Sequence, residues 1–206
     1  MNHIYRLVWS TRLGKFIVTH EKARSHGRAS SGARIPLASG LLGVLISALS
    51  TGVAWATPPA ANTLPTGYTV SAGAANVSSQ GNTLTVQQST PRTAIDWQTF
   101  SIGSNAQVNF VQPSASAVVL NRVVGNESTV IDGALQANGQ VFVLNSNGVL
   151  IGQGARIDAQ GFLASTLGLS NEDFIANKRS FSGTSNAGLM NLGTIKAKDG
   201  GYVALL

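Results

Sequence analysis

The sequence contains no cysteine, and it is poor in charged and aromatic side chains. Charged residues account for 11% of its 206 residues and aromatic residues for 6%. All three histidines precede residue 57. Residues 57–206 therefore cannot supply a Ser-His-Asp or Cys-His catalytic set, and they lack the usual ligands of zinc. We expect a non-enzymatic protein with no catalytic residues, no cofactor and no metal ion.

The excess of positive charge is confined to the N-terminal part of the chain. The formal net charge is +6, and residues 1–56 hold seven Lys and Arg against one acid. Residues 57–206 hold seven bases and seven acids and are neutral. A nucleic-acid-binding domain normally carries a basic patch on its folded part. We therefore expect no nucleic acid among the partners.

Residues 37–56 have the pattern of a secretory signal peptide. The apolar stretch 41–49 has nine residues, whereas a membrane-spanning helix needs about 20. Basic residues precede the stretch, and the small residues Ala54 and Ala56 follow it with cleavage-site spacing. This pattern predicts cleavage after Ala56, with Thr57 as the first residue of the exported protein. The alternative is a buried core helix.

Residues 1–36 make the leader longer than an ordinary signal peptide, which has about 15–30 residues. They begin with the letters MNHIYRLVW, and GKFIV follows from Gly14. These letters resemble the extended signal peptide region of large Gram-negative autotransporters and two-partner secretion exoproteins. The resemblance implies slowed export through the inner-membrane Sec machinery. A basic tail that binds RNA or anionic lipid is the alternative.

The remainder of the chain has the composition of a β-protein. Residues 57–206 contain 17 Gly and 14 Asn, and they show almost no helical periodicity. Short alternating segments at 83–86, 107–111 and 141–144 are bounded by Gly, Asn, Ser or Pro. Alternation between turn-forming residues is typical of strands. These residues are predicted to be all-β.

A repeat indicates how the strands are arranged. Gly133, Gly154 and Gly193 each precede a similar strand pattern, with steps of 21 and 39 residues. We interpret the second step as two units of a period near 20. Stacked coils bury apolar side chains that one repeat cannot bury alone. The pattern predicts a right-handed parallel β-helix, a solenoid, over residues 57–206.

Two segments depart from the repeat. Residues 64–86 are predicted to form a small sheet that caps the open end of the solenoid, since an exposed edge invites aggregation. An antiparallel sandwich is the alternative for 60–95. The polar segment 170–181 is predicted to leave the helix as a β excursion, such as a hairpin, with Phe174 and Phe181 folded back. The excursion either carries binding or covers a strand edge.

Four further segments carry a second resemblance. They contain the patterns W-x-x-F-x-I-G, V-L-N-R-V, L-N-x-N-G-V and S-N-E-D-F, and they lie at 95–103, 111–125, 133–149 and 170–174. Their order and spacing resemble the N-terminal secretion domain of filamentous-haemagglutinin-type proteins, also called the haemagglutination activity or two-partner secretion domain. The resemblance covers about residues 62–206.

This resemblance implies an exported protein that acts by binding. It implies recognition by a partner outer-membrane β-barrel transporter with periplasmic recognition domains, and a secreted or cell-surface location in a Gram-negative bacterium. The expected whole is a large adhesin or haemagglutinin, of which this chain is a C-terminally truncated part. A region beyond Leu206 would contact host cells. The same module in front of a contact-dependent toxin or haemolysin is the alternative, and a carbohydrate-active enzyme is a weaker third one.

The resemblance also implies where the transporter binds. The candidate recognition residues are Asn121 and the turn formed by Asn145, Ser146, Asn147 and Gly148. The family commonly has Asn-Pro-Asn-Gly at this turn. A turn without the Pro is still expected, because Asn and Gly adopt left-handed backbone conformations. Turn stabilisation is the alternative role for each Asn.

Overall fold

The computed structural model describes residues 5–10, 15–20 and 57–206. The chain divides into two units, Met1–Thr51 and Gly52–Leu206. In the first unit, strands β1 (Tyr5–Ser10) and β2 (Lys15–His20) pair antiparallel. The predicted apolar segment of the leader, with Ala54 and Ala56, lies outside the described residues. Within those described, no helix is long and apolar enough to cross a membrane.

The second unit is built almost entirely of strands. They are β3 (Thr69–Ala72), β4 (Ala75–Gln80), β5 (Thr83–Gln88), β6 (Arg92–Trp97), β7 (Gln107–Val111), β8 (Val118–Val123), β9 (Thr129–Ile131), β10 (Ala134–Ala137), β11 (Gln140–Leu144), β12 (Val149–Ile151), β13 (Arg156–Ser165), β14 (Leu189–Asn191) and β15 (Thr194–Leu205). The five-residue helix α1 (Asn171–Ile175) lies between β13 and β14.

These strands wind into a three-sided parallel solenoid. Side A consists of β5, β7, β10 and the first halves of β13 and β15. Side B consists of β6, β8, β11 and the second halves of β13 and β15. Side C consists of β9, β12 and β14. The predicted parallel β-helix is confirmed, and the three segments predicted as strands lie in β5, β7 and β11.

The core consists of side chains stacked from coil to coil. One inward-facing column on side A joins Leu84, Val108, Leu135, Ile157 and Ile195, each paired with the next. The first four are at most 4% exposed. Burial of such side chains contributes about 1.5–3 kcal/mol each. Because the backbones pair in register, every coil must supply an apolar side chain at the same place.

The spacing of the coils differs from the predicted period. Successive residues of this column are 24, 27, 22 and 38 positions apart. The interpretation of the 39-residue step as two units is wrong, because β13 pairs directly with β15 and one coil contains a long insertion. The alignment of Gly154 with Gly133 is also wrong by one residue, since Ala134 pairs with Arg156.

The N-terminal end of the solenoid carries antiparallel strands. Strand β4 pairs antiparallel with β5, and β3 pairs antiparallel with β6. Both are added at the edge of the first coil, so the predicted N-terminal cap is present as β3 and β4, whereas residues 83–86 of the predicted range lie in β5 of the first coil itself. The alternative of a sandwich over 60–95 is wrong, because β5 and β6 pair parallel with β7 and β8.

The excursion between β13 and β14 begins with a short helix rather than a strand. The Ser170 hydroxyl accepts a hydrogen bond from the Asp173 amide at 3.1 Å, which caps the helix. Glu172 and Asp173 also lie in the first turn, where acidic side chains are favourable. The antiparallel element of the predicted hairpin is reduced to one bridge, between Gly168 and Ser182.

The excursion covers the outer face of side B. This face carries an apolar stripe, because Ala94, Leu120, Phe142, Leu163 and Ala204 pair in succession and point outward. Leu169 and Phe174 pack on the stripe, and Phe174 is 1% exposed. Phe181 also packs there and is partly buried. The predicted return of both Phe side chains is confirmed, and they cover the face of a sheet rather than a strand edge.

We expect Gly133→Ala to destabilise the solenoid. A Cβ at this position would collide with the carbonyl oxygens of Gly103 and Ala106 in the preceding coil. The expected loss is about 1–3 kcal/mol of the free energy of unfolding, measured by urea denaturation.

Gly188→Ala is the matched control, since a Cβ added at this glycine would have no other atom within 4 Å. We expect it to change stability by less than about 0.5 kcal/mol. Equal effects of the two substitutions would contradict the close approach of neighbouring coils at Gly133.

Candidate functional site

Asn121 lies inside the solenoid. It is 0% exposed, and it stands in the inward column of side B between Ile95 of β6 and Val143 of β11. Its Oδ1 accepts a hydrogen bond from Trp97 Nε1 at 3.0 Å, and its Nδ2 donates to the Phe142 carbonyl at 3.2 Å. A buried amide needs such partners, because leaving one unpaired costs about 1–3 kcal/mol. In the folded domain this side chain is inaccessible to a partner.

The W-x-x-F-x-I-G segment supplies the partner of Asn121. Trp97, Phe100 and Ile102 are at most 1% exposed, so the segment is part of the core. The rings of Trp97 and Phe100 meet edge-on with centroids 5.5 Å apart. Ile102 forms a parallel β-bridge with Ile131, and its side chain is therefore the first of the apolar column on side C. The residues that carry the resemblance here stabilise the first coils.

Residues 145–148 form a tight turn between β11 and β12. The Gly148 amide donates to the Asn145 carbonyl at 3.1 Å, and the Asn147 amide donates to Asn145 Oδ1 at 2.9 Å. Gly148 has φ +107°, a conformation that L side chains rarely adopt. The predicted turn is therefore present without a proline, and Asn145 Oδ1 takes part in stiffening it.

The two Asn side chains of this turn differ in exposure. Asn145 is 1% exposed, and its Nδ2 donates to the Glu127 carbonyl and to Thr129 Oγ1, both at 2.9 Å. It therefore joins its turn to the preceding coil. Asn147 is exposed, and its Nδ2 donates to the Gly125 carbonyl at 2.8 Å. Ser146 is also exposed, and its carbonyl accepts from Ser185 Oγ at 2.6 Å.

Arg122 has a structural role that its place in the sequence does not predict. It follows Asn121 in β8 and therefore points outward, where its Nη1 pairs with Asp96 Oδ1 at 2.8 Å. Its Nη2 donates to the Leu169 carbonyl and to Asn171 Oδ1, both at 2.8 Å. Arg122 thus attaches the excursion to the body of the solenoid. Strand alternation around the V-L-N-R-V pattern is the signal that identifies its outward direction.

The described residues hold no group of three or more acidic, His or Cys side chains that could bind a metal ion. Thr57 is the first residue of the longest described segment, and the other two predicted cleavage-site residues precede it.

Two family models match the chain. Residues 61–206 match the TPS secretion domain, where TPS denotes two-partner secretion. Residues 1–50 match the extended signal peptide of the type V secretion system. Together the two matches extend over nearly the whole chain, and both resemblances found in the sequence are confirmed.

Known proteins of Haemophilus influenzae are similar to the chain. A heme/hemopexin-binding protein of strain Rd is 42% identical over 167 residues, which is 77% of this chain and 18% of that protein. A second heme/hemopexin-binding protein is 42% identical over 98 residues, 48% of this chain and 11% of its own length. The chain thus spans less than a fifth of the length of these relatives.

A solved structure has the same fold. The crystal structure of the HMW1 secretion domain from Haemophilus influenzae superposes with a TM-score of 0.63 at 35% identity. The superposition covers 68% of this chain and 38% of that one.

We expect Asn121→Ala and Asn145→Ala to lower the free energy of unfolding by about 1–3 kcal/mol each, because each leaves buried polar partners unpaired. Denaturant unfolding of the purified protein measures the loss. Asn147→Ala is the matched control, and less than about 1 kcal/mol is expected because its side chain is exposed. Unchanged stability in the Asn121 variant would contradict the hydrogen bonds assigned to it.

Proposed function

This chain belongs to the TPS secretion domain family. From that membership we propose that a partner transporter in the outer membrane recognises and binds its folded part. The domain is the secretion domain of an exoprotein in a two-partner secretion system. Its extended signal peptide directs export, through the periplasm and outer membrane of a Gram-negative bacterium. In this role the domain acts by binding and not by catalysis.

The surface proposed to meet the transporter is the turn at 145–148. Its exposed side chains are those of Ser146 and Asn147. Hydrogen bonds to Gly125 and Ser185 hold the turn from both sides. A turn that is already rigid loses little conformational entropy on binding. This arrangement is the observation that supports the turn as the recognition surface.

Asn121 and Asn145 have a supporting role in this proposal. Both side chains are at most 1% exposed, and each one is hydrogen-bonded to a neighbouring coil. In the folded domain they cannot contact a transporter. They stabilise the coils from which the exposed turn projects.

The exoprotein as a whole is proposed to be an adhesin that binds a host ligand. Both curated relatives are named heme/hemopexin-binding proteins, which makes heme or hemopexin a specific candidate ligand. Retention of the full-length exoprotein on immobilised hemopexin would support this candidate, and passage through the column would contradict it.

We expect the double variant Ser146→Ala/Asn147→Ala to be secreted several-fold less well. The chain is co-expressed with its partner transporter, and the protein in the medium is compared with that in the periplasm. The substitutions remove exposed hydrogen-bonding groups, including the Asn147 bond to the Gly125 carbonyl, and leave the buried Asn145 contacts in place. A normal melting temperature, measured on the purified variant, identifies the effect as one on recognition.

Ser114→Ala/Ser116→Ala is the matched control. These two exposed serines lie in another turn, between β7 and β8, and their hydroxyls bond to each other. We expect wild-type secretion from this variant. If both double variants are secreted like the wild type, the 145–148 turn is not the recognition surface.

We expect the leader to be removed after Ala56. The reason is the short apolar stretch followed by Ala54 and Ala56 with the spacing that signal peptidase recognises. Mass spectrometry of periplasmic protein, from cells without the transporter, should give Thr57 as the N-terminal residue. Ala56→Arg should slow this cleavage, and Ala61→Arg serves as the control outside the site. Membrane-bound protein that keeps Met1 would contradict the assignment.

A further inference from the structure

The second half of the excursion places a cation on the outer face of side B. Asn177 has φ +59°, and the chain turns back there toward the solenoid. The guanidinium of Arg179 then lies over two aromatic rings, 5.5 Å from the centroid of Phe142 and 5.1 Å from that of Tyr202. Cations over ring faces are attracted by the ring quadrupole. Arg179 is thus positioned by the rings and remains exposed to solvent.

The place of Tyr202 depends on a glycine. Gly161 stands between Gln140 and Tyr202 in an outward column of side B. Tyr202 extends across it, and its hydroxyl donates to Gln140 Oε1 at 2.8 Å. A Cβ on Gly161 would lie 3.0 Å from Tyr202 Cε1, so the glycine leaves room for the ring. The ring under Arg179 is therefore held at its edge and at its hydroxyl.

A second cation, Arg92, lies on the same face and is bonded to Asn177, two residues before Arg179. The Arg92 guanidinium is 5.7 Å from the centroid of Phe174, whose ring is 6.4 Å from that of Phe142. Arg92 Nη2 donates to Asn177 Oδ1 at 2.6 Å, and Nη1 donates to the Phe174 carbonyl at 3.3 Å. These bonds use part of its five N–H donors. No further hydrogen bond of its side chain is found among the described residues.

The two arginines are not neutralised by acids. In the described part of the chain the ion pairs are Arg122 with Asp96 and Lys178 with Asp173, and neither includes Arg92 or Arg179. Burial lowers the pKa of Arg92, and the charge of Arg179 lowers it further, against a smaller opposite effect of Tyr202. The positive charges of Arg92 and Arg179 therefore repel each other on the partly apolar outer face of side B.

We propose that Arg92 and Arg179 form a binding site for a tetrahedral oxyanion, a phosphate or sulfate group. The planar guanidinium groups match such an anion with paired N–H donors. Two cations without acidic partners balance the two charges of the anion, and their mutual repulsion is relieved when it binds. The buried rings of Phe142 and Phe174 hold the cations in place without competing as acceptors.

A purely structural role makes a different prediction. If the arginines only fix the excursion to side B, their removal lowers stability in every buffer alike. If they bind an oxyanion, phosphate or sulfate raises the melting temperature, and removal of one arginine abolishes that rise. The dependence on the anion therefore separates the two roles.

The test is the melting temperature of the purified protein in inorganic phosphate, in sulfate and in sodium chloride of equal ionic strength. We expect a rise of about 2–5 °C at tenfold excess over the dissociation constant, in phosphate or sulfate but not in chloride. R179Q should lose most of the rise. R156Q, which removes an exposed arginine at the start of β13 on side A, should retain it.

Calorimetric titration of R179K provides a second variant in case R179Q folds poorly. Lysine keeps the charge and loses the planar donors, and we expect at least about fivefold weaker binding of phosphate. An equal rise in chloride, or an undiminished rise in R179Q, would overturn the site. An equal rise in acetate would overturn the assignment to a tetrahedral dianion. A response to phosphate without one to sulfate would identify phosphate groups as the ligand.

Discussion

In-register stacking of the coils is the constraint on which the rest of this structure depends. Within sides A, B and C each strand pairs through its backbone with the strand of the next coil, so a side chain meets the residue at the same position above and below, apart from a register shift between Ala159 and Gly161. Leu84, Val108, Leu135 and Ile157 satisfy this rule with apolar side chains. A polar residue in such a column must find its hydrogen bonds inside the column. Asn121 does so through the indole of Trp97, and the two residues therefore depend on each other.

In-register pairing also aligns apolar side chains on the outer face of side B, and this apolar stripe has to be shielded from solvent. Pairing aligns apolar residues outward as well as inward, and a bare stripe of this kind would favour aggregation. The excursion supplies Leu169 and Phe174 to cover it. Arg122 attaches the excursion through two hydrogen bonds, to the Leu169 carbonyl and to Asn171 Oδ1, while its third, to Asp96, holds the guanidinium on the neighbouring strand. Strand β8 thus contributes two adjacent residues with different roles. Asn121 supplies a buried amide to the core, and Arg122 binds the excursion.

The sequence predicts the local structure better than the assembly. The predicted bounds of strand β7 match the observed ones, because its alternation and flanking turn residues are local signals. The interpretation of the step to Gly193 is wrong, since nothing local distinguishes two coils from one coil with an insertion. The helix that begins after Ser170 was not predicted, although its serine cap and first-turn acids are readable. The burial of Asn121 could have been predicted, because Val119 and Val123 flank it on the same face.

The order in which the hydrogen bonds of Asn121, Asn145 and Asn147 can form determines which of these groups a transporter could bind before and after folding. The bond between the Asn147 amide and Asn145 Oδ1 joins residues two positions apart, so the turn can form before any coils have stacked. The bonds of Asn145 to Glu127 and Thr129 require the preceding coil, and those of Asn121 require the coils on both sides. This local bond is therefore available to the turn in a nascent chain, whereas the bonds to Gly125 and Ser185 require other parts of the folded domain. The amide of Asn121 is accessible only before folding, so its direct recognition would have to precede the stacking of the first coils.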